Sequence, residues 1–523
     1  MTVPPPLTRK IIMVGSRHVH IRFCGEGPPV LLLHQSPRTS EELTALMQAW
    51  GAHFCCIVPD HPGYGLSDPL PSAAPNIDDF ADATAALLDA LGIEQLPIYG
   101  HHTGAKIALS LAVRHPQRVA SLVLNGLLIN TQADRDDLAE NYLPPFEPSQ
   151  DARHLVQLWW RMREQTLFFP WYNRKAGARM VFGVRPAAEI QPSVLDFLAA
   201  EDNYRRGYGA ALAMVAKDYV DQLSVNALIT AVKSDPLWVD VGRLQSTQTT
   251  TIDRFDTMEP LLSAALAKLK EGAGAQWSFE GIDQNGMRKI EAGLTTYHAQ
   301  PDNEPTALFL PDLGSEWLCE KALLDASTPS SILAINPAGH GLSQSDADWP
   351  QMDSIQKIIT MGLGYVHLPP LLERYPDAQL VLIDALLPTD DAAGYLQSYV
   401  PDLTPTPSGS HLAEAFLRTR SDLVFWPWNK TEHANAIPGE HLFDAYALHV
   451  KSRALLRGWQ AGRQMAEKAQ ESLNALLNHT SDVQILLPDW AEQHSGLQQD
   501  FGKARISYYA FKNRTAALAA ALG

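Results

Sequence analysis

The stretch YGHHTGAK, residues 99–106, joins two segments whose apolar patterns differ. The segment that leads into it, LPIYG, is a continuous apolar run typical of a buried strand. The segment that follows, GAKIALSLAVRHP, has helical spacing and stops at a proline. Gly100 and Gly104 flank His102, and residues without a Cβ let a strand and a helix approach closely at a sharp turn. The stretch therefore predicts a strand, a tight turn and a helix, with His102 at the apex.

The segments around this stretch alternate between the same two patterns. Three further apolar runs are typical of buried strands, namely VLLLH (30–34), FCCIVPD (54–60) and VASLVLNG (119–126). Helical patterns lie between them, for example DDFADATAALLDALG (78–92), which ends at a glycine. The alternation predicts an α/β fold in which helices cover both faces of a mostly parallel sheet.

The chain also resembles itself along its length. FFPW at 168–171 returns as FWPW at 425–428, and PDHPGYGLS at 59–67 returns as INPAGHGLS at 335–343. Because the matched segments span most of the 523 residues, we predict a tandem duplication. The predicted domains are residues 1–285, with a helical cap at about 130–230, and residues 286–523, with a cap at about 388–465.

Composition excludes several classes of function. The formal net charge of −17 disfavours binding to nucleic acid or to an anionic membrane surface. No segment approaches the roughly 20 apolar residues that a membrane-spanning helix needs. The four cysteines form no CxxC pair, so neither a disulfide framework nor a zinc site is predicted. We therefore expect a cytoplasmic protein with a small-molecule substrate or ligand and no cofactor or metal, and its oligomeric state is left open.

Four segments carry a resemblance to a known family. VLLLHQSP, VPDHPGYGLSD, YGHHTGA and RHPQRVASLVLNG, in this order and spacing, resemble the α/β-hydrolase superfamily. The resemblance covers residues 10–130 well and implies two α/β-hydrolase-like domains in tandem, each with a helical cap insertion. In that family the apex of the turn carries the nucleophile. Here the apex is His102 in the first repeat and Gly362 in the second, so the first domain is predicted to carry the site and the second to be a degenerate copy.

The resemblance also implies partners for His102. Backbone N–H groups of Thr103 and Gln35 would form an oxyanion hole, which stabilises developing negative charge. The family places an acid after the seventh strand, and in TTTIDRFDTMEP (249–260) this is Asp253 or Asp256. The histidine that the family places after the eighth strand is absent from this repeat.

Further candidates lie where a substrate would bind. Four of them follow predicted parallel strands, at whose carboxyl ends open α/β sheets bind ligands; they are His34, Ser36, Arg38 and His101. Three aromatic residues of the predicted cap could line an apolar pocket or pack in the core; they are Trp159, Phe169 and Trp171.

An imidazole at the apex can accept a proton near neutral pH or attack as a nucleophile. We therefore predict a cofactor-independent enzyme of the superfamily that acts on a small, partly apolar carbonyl compound through His102. Hydrolysis of an ester-like or carbon–carbon bond and a lyase or isomerase reaction are both compatible with this apex. The alternative is a non-catalytic ligand sensor or a pseudoenzyme scaffold on the same fold. An open cavity that holds His102, a carboxylate and two N–H groups would favour catalysis.

Overall fold

The computed structural model divides the chain into two units. Unit 1 comprises Met1–Glu147 and Gln157–Asn285, and unit 2 comprises Pro148–Val156 and Gly286–Gly523. The structure describes residues 5–327, 331–385, 398–426, 428–438, 443–469, 471–472, 476, 482–493 and 504–522. Part of the predicted second cap, residues 388–397, lies outside these ranges.

Unit 1 is built on an eight-stranded sheet. Its strands are β1 (Leu7–Val14), β2 (Arg17–Cys24), β3 (Pro29–Leu33), β4 (Cys55–Pro59), β5 (Leu96–His101), β6 (Val119–Asn125), β7 (Ala227–Val232) and β8 (Thr250–Phe255). Their order in the sheet is β1-β2-β4-β3-β5-β6-β7-β8. Strand β2 runs antiparallel to β1 and β4, and the other neighbours are parallel. Every residue of β3, β4 and β7 is buried, which explains their continuous apolar sequences.

The helices of unit 1 fall into two groups. Those that pack on the sheet are α1 (Thr44–Trp50), α2 (Ile77–Ala90), α3 (Thr103–Arg114) and α10 (Met258–Glu271). The helices between β6 and β8 are α4 (Gln132–Asn141), α5 (Arg153–Gln165), α6 (Ala187–Ala200), α7 (Tyr204–Ala213), α8 (Ala216–Val220) and α9 (Trp238–Val241), and residues 153–156 of α5 are counted in unit 2. Successive residues of β3 point to opposite faces: Leu31 packs with residues of α2 and α3, and Leu32 packs with residues of α1 and α10. The sheet is therefore covered on both faces.

Unit 2 has the same strand order on a second sheet. Its strands are β9 (Arg288–Glu291), β10 (Leu294–His298), β11 (Ala307–Leu310), β12 (Ile332–Ile335), β13 (Lys357–Met361), β14 (Gln379–Ile383), β15 (Val483–Pro488) and β16 (Arg505–Tyr509). They are arranged β9-β10-β12-β11-β13-β14-β15-β16, with β10 antiparallel to β9 and β12. The helices described in this unit include α11 (Lys321–Ala326), α12 (Leu368–Arg374), α13 (Ser410–Ser421), α14 (Ala445–Ala466) and α15 (Arg514–Leu522). Residues 336–356, all described, form no helix, so a counterpart of α2 is missing.

The predicted fold class is confirmed, because each unit has a mostly parallel eight-stranded sheet flanked by helices. In the described part of the chain, none of the helices combines the length and the apolar character that a membrane span requires.

Candidate functional site

The turn between β5 and α3 presents a histidine. His102 has φ 49° and ψ −105°, and its backbone N–H donates to the Asn125 carbonyl at 2.9 Å. The flanking glycines leave the space that the close approach of strand and helix requires. A Cβ on Gly100 would lie 2.4 Å from the Gly104 carbonyl oxygen, and one on Gly104 would lie 2.2 Å from the Leu33 carbonyl oxygen. The sequence is therefore compatible with this turn only because both flanks are glycine.

His102 lies on the wall of a cavity in unit 1. The cavity has a volume of about 300 Å³, and 25% of the His102 side chain remains exposed. Its wall combines apolar and aromatic side chains, among them Leu128, Tyr142, Phe169, Phe182, Tyr208 and Leu237, with polar residues that include Gln35, Thr103, Lys106 and Ser234. Walls of this composition are typical of sites for small organic molecules.

The imidazole of His102 is paired with a carboxylate. Its Nε2 lies 2.7 Å from Oδ2 of Asp235, which follows β7. The other carboxylate oxygen, Oδ1, accepts a hydrogen bond from the Leu237 backbone N–H at 2.8 Å. The backbone N–H of Asp235 donates to the Val232 carbonyl, also at 2.8 Å. These bonds hold the carboxylate in one orientation towards the imidazole.

Each member of the pair changes the pKa of the other. Burial alone would raise the pKa of Asp235, but the nearby His102 imidazole and the Leu237 N–H outweigh it and lower that pKa to about 2. Burial alone would lower the pKa of His102, but the charge and hydrogen bond of Asp235 raise it above its ordinary value. His102 is therefore a stronger base than a free imidazole, and Asp235 is ionised at neutral pH.

The structure does not bring either predicted acid to His102. ALITAV (227–232) is β7, and TTIDRF (250–255) is β8, so the two predicted acids lie one strand too late in the chain. Asp253 and Asp256 are both exposed, and Asp256 pairs with Lys233 at 3.5 Å. The signal for Asp235 was present in the sequence as an acidic residue shortly after the fully apolar run ALITAV.

Of the two predicted oxyanion-hole donors, the structure leaves only the Thr103 N–H in a suitable position. Thr103 lines the cavity and is the first residue of α3, where a backbone N–H has no acceptor within its own helix. The Gln35 backbone N–H instead donates to Oε1 of Glu42 at 2.7 Å, and its side-chain Nε2 donates to Oε2 at 2.9 Å. The assignment of Gln35 is corrected for this reason, since the buried Glu42 carboxylate needs both donors.

Part of the chain is similar in sequence to a known family. Residues 28–186 match the sequence model of a family described as alpha/beta hydrolase fold. Residues 28–186 therefore carry the sequence pattern of the α/β-hydrolase fold.

Individual relatives match a shorter part of the chain. The chain is 37% identical over 128 residues to a 2-hydroxymuconate semialdehyde hydrolase of Pseudomonas sp. (strain CF600), covering 23% of this chain and 44% of the relative. It is 33% identical over 108 residues to haloalkane dehalogenase 2 of Mycobacterium tuberculosis (strain ATCC 25618 / H37Rv), covering 21% and 38%. The chain thus spans less than half the length of these curated relatives. A solved structure similar to it is epoxide hydrolase A from Mycobacterium thermoresistibile, with a TM-score of 0.40, 16% identity and coverage of 52% of this chain and 100% of that one.

Two residues predicted to bind substrate lie in a buried polar network rather than on the cavity wall. His34 donates from Nδ1 to the Gln35 carbonyl at 2.8 Å and accepts at Nε2 from the His61 backbone N–H at 2.9 Å. Burial lowers the pKa of His34 to about 4. The Ser36 hydroxyl donates to the Tyr64 hydroxyl at 2.9 Å. Both side chains are thus used to satisfy buried hydrogen-bonding groups.

Arg38 is also engaged within the fold. Its Nε donates to Oδ2 of Asp196 at 2.8 Å, and its Nη1 lies 3.8 Å from Oε2 of Glu42. Both carboxylates are buried, so the guanidinium compensates their charge. This role in the fold replaces the predicted role of Arg38 in binding substrate.

The remaining substrate-binding candidates are of two kinds: some line the cavity, and others are packed within the fold. His101 and Phe169 line the cavity. Trp159 is completely buried, and the indole N–H of Trp171 donates to the Tyr142 carbonyl at 3.1 Å. Among the cap residues that the structure describes, Tyr142, Phe182 and Tyr208 also line the cavity, although they were not among the predicted site residues.

At the corresponding turn of unit 2, backbone N–H groups are bonded to a side chain of the same unit. Gly362 has φ 51°, and Oδ1 of Asp312 accepts hydrogen bonds from the backbone N–H groups of Leu313 and Leu363, both at 2.8 Å. Oδ2 of the same carboxylate accepts from the Tyr399 hydroxyl at 2.7 Å. A Cβ at Gly362 would lie 2.4 Å from the Asp312 carboxyl carbon. The Asp312 carboxylate thus accepts the backbone hydrogen bonds at this turn, and only glycine fits beside it at position 362.

Proposed function

We propose that unit 1 is a hydrolytic enzyme that acts on a small, partly apolar carbonyl compound without a cofactor, with His102 as its general base. One observation carries this proposal. The His102 imidazole lies 2.7 Å from a buried carboxylate of Asp235, at the wall of a cavity of about 300 Å³. A base held in this way next to space for a substrate is the arrangement that proton transfer requires.

The geometry gives each atom of the pair a role. When Nε2–H of His102 donates to Asp235, the lone pair is on Nδ1, which accepts a proton from a water molecule. The resulting hydroxide attacks the carbonyl carbon, and the negative charge of Asp235 stabilises the imidazolium. The proton then passes from His102 to the leaving group, so that the base is regenerated.

The charge that develops on the carbonyl oxygen needs a donor. The Thr103 backbone N–H, at the beginning of α3, is our candidate for this role. The predicted second donor, the Gln35 N–H, is bonded to Glu42, so this site would stabilise an oxyanion with one backbone donor fewer than predicted.

The size and lining of the cavity suggest the substrate class. A volume of about 300 Å³ is at the lower end of the range for small-molecule sites, which favours a small compound over a polymer. Phe169, Phe182 and Leu237 would contact its apolar part. The hydroxyls of Tyr142 and Tyr208, 3.0 Å apart on the wall, would contact a polar group.

The names of the relatives support the hydrolytic class. They are a hydrolase of 2-hydroxymuconate semialdehyde and a haloalkane dehalogenase. Because the chain spans less than half of each, their substrates are not assigned to it. The same dyad could remove a proton from carbon in a lyase or isomerase reaction, and the assay below includes compounds for that chemistry.

The test measures turnover of small esters, thioesters and 1,3-dicarbonyl compounds by the wild type, His102→Ala and Asp235→Asn. His115→Ala is the matched control, because His115 forms an equally short pair with Asp82, 2.7 Å, outside the residues that line the cavity. We expect His102→Ala and Asp235→Asn to lower kcat/KM by about 10²–10⁴-fold, the usual contribution of a positioned base. The control should retain the wild-type rate.

Two results would contradict the proposal. Turnover by His102→Ala equal to that of the wild type would exclude His102 as the base. No turnover of any compound by the wild type, together with saturable binding of one of them, would favour the ligand sensor instead.

A further inference from the structure

A second histidine lies beside the dyad. His101, the last residue of β5, has its ring centroid 4.2 Å from that of His102. One donor atom from each of His101, His102 and Asp235 can be chosen so that all three lie within 4.8 Å of one another. We propose that these three residues form a binding site for a divalent transition-metal ion, and that Zn²⁺ is the ion that fits best.

The donor set determines the class of ion. Two imidazole nitrogens and one carboxylate oxygen form a set that Zn²⁺ uses in sites with an open coordination position. Mg²⁺ and Ca²⁺ prefer sites built from oxygen atoms alone, so they fit poorly. All three residues line the cavity, which leaves room for water or a small anion to complete the coordination.

One proton has to move when the ion binds. In the neutral His102 of the proposed function, Nε2–H donates to Asp235, and an ion on Nε2 requires this proton to be on Nδ1 of the same ring instead.

The movements required are small. In a tetrahedral site with bonds of about 2.0 Å, donor atoms lie roughly 3.3 Å apart. The Nε2 of His102 and Oδ2 of Asp235, now 2.7 Å apart, would separate slightly, and the widest distance of the group, at most 4.8 Å, would shorten. Rotations of the three side chains can supply both changes without a change in the fold.

The effect of the ion on activity follows from the proposed function, on which this part of the inference rests. Whichever nitrogen of His102 binds the ion, the other nitrogen carries the proton, and the imidazole can no longer accept one. We therefore expect Zn²⁺ to inhibit turnover, in competition with the substrate.

The experiment uses the full chain, freed of metal with a chelator and dialysed. Zn²⁺ binding is measured by titration calorimetry, and Co²⁺ is added separately because its visible absorption reports the donor number. We expect one ion per chain for the wild type and for His115→Ala. His101→Ala and Asp235→Ala should each weaken binding by at least about 10–100-fold, because loss of even an outer partner of a metal ligand costs that much and each variant removes a protein donor itself.

The outcomes distinguish the site from the proposed function. Binding that is absent in the wild type, or unchanged in His101→Ala and Asp235→Ala, would overturn the metal site, whatever the turnover. If the chain does not bind Zn²⁺ but shows metal-free turnover that depends on His102, the proposed function is supported and the metal site is contradicted. Binding without any metal-free turnover would support the site and contradict the function. Turnover that occurs only with Zn²⁺ would overturn both the inhibition and the role of His102 as base.

Discussion

Gly126 offers a test of the dyad that changes neither of its members. This residue follows β6 with φ 71°, and a Cβ placed on it would lie 2.2 Å from Cδ2 and 2.5 Å from Nε2 of His102. The same Cβ would lie 3.1 Å from Oδ2 of Asp235. The substitution Gly126→Ala therefore forces the imidazole away from its carboxylate while both side chains remain in the protein.

The magnitude follows from these distances. Ordinary contact begins at 3.4 Å, so the His102 ring must move by about 1 Å or more. A displacement of about 1 Å in a catalytic group can cost about 10²-fold in rate. An alanine with positive φ also strains the backbone by roughly 1–2 kcal/mol. We expect kcat/KM to fall by about 10²-fold or more, with a loss of about 1–2 kcal/mol in the free energy of unfolding in addition to the cost of the contact.

Gly92 supplies the matched control. It has φ 66°, close to that of Gly126, but no atom lies within 4 Å of a Cβ added there. Gly92→Ala should therefore show the backbone strain without the effect on rate. The assay is hydrolysis of p-nitrophenyl acetate at neutral pH, or of whichever ester the wild type turns over fastest, beside urea unfolding of each variant. Equal rates for Gly126→Ala and the wild type would refute the reasoning, because the imidazole would then not act from the position described here.

Three further predictions concern stability, each measured by urea unfolding. In the folded chain the pKa of His34 is about 4, below its ordinary 6.5. Between these two values the unfolded chain binds a proton that the folded chain does not. The contribution of His34 to the free energy of unfolding is therefore present above pH 6.5 and is lost as the pH falls towards 4. Between pH 7 and pH 5 the wild type should lose about 2 kcal/mol more than His34→Gln, and equal losses would contradict this. Gly362→Ala should be destabilising in the wild type but much less so in an Asp312→Ala background, because the new Cβ at position 362 displaces the Asp312 carboxylate. Additive effects of the two substitutions would show that the residues do not interact. Arg38→Ala should lower the free energy of unfolding by about 3–5 kcal/mol, because it leaves buried carboxylates unpaired. Lys217→Ala breaks an exposed ion pair and should change that free energy by no more than about 0.5 kcal/mol. Similar losses for the two variants would contradict the role given to Arg38.

Much of the fold could be read from local sequence patterns. The continuous apolar run of β3 and the helical spacing of α3 predicted their elements, because burial on a covered sheet and one-sided burial of a helix leave different periodicities. The glycines at 100 and 104 marked the turn, since the space available at a tight turn is a local property. The similarity of the two halves predicted a second sheet of the same kind, and the structure has one.

The strand count is where local reasoning failed. ALITAV was not assigned as β7, and this single omission moved the predicted acid from Asp235 to Asp253 or Asp256. ALITAV follows the helices between β6 and β7 rather than the alternating strand and helix patterns that surround β3, so its neighbours did not distinguish a buried strand from a buried helical segment.

The sequence by itself determined the α/β architecture, the sharp turn and the histidine at its apex, because each depends on residues that are neighbours along the chain. Only the tertiary structure decided which groups meet at that turn. His102 and Asp235 are 133 positions apart, the Gln35 N–H is taken by Glu42, and the second turn is occupied by Asp312. These contacts depend on how loops from different strands converge at one edge of a sheet, and the free energy of burying a charge, rather than any local pattern, selects the partner.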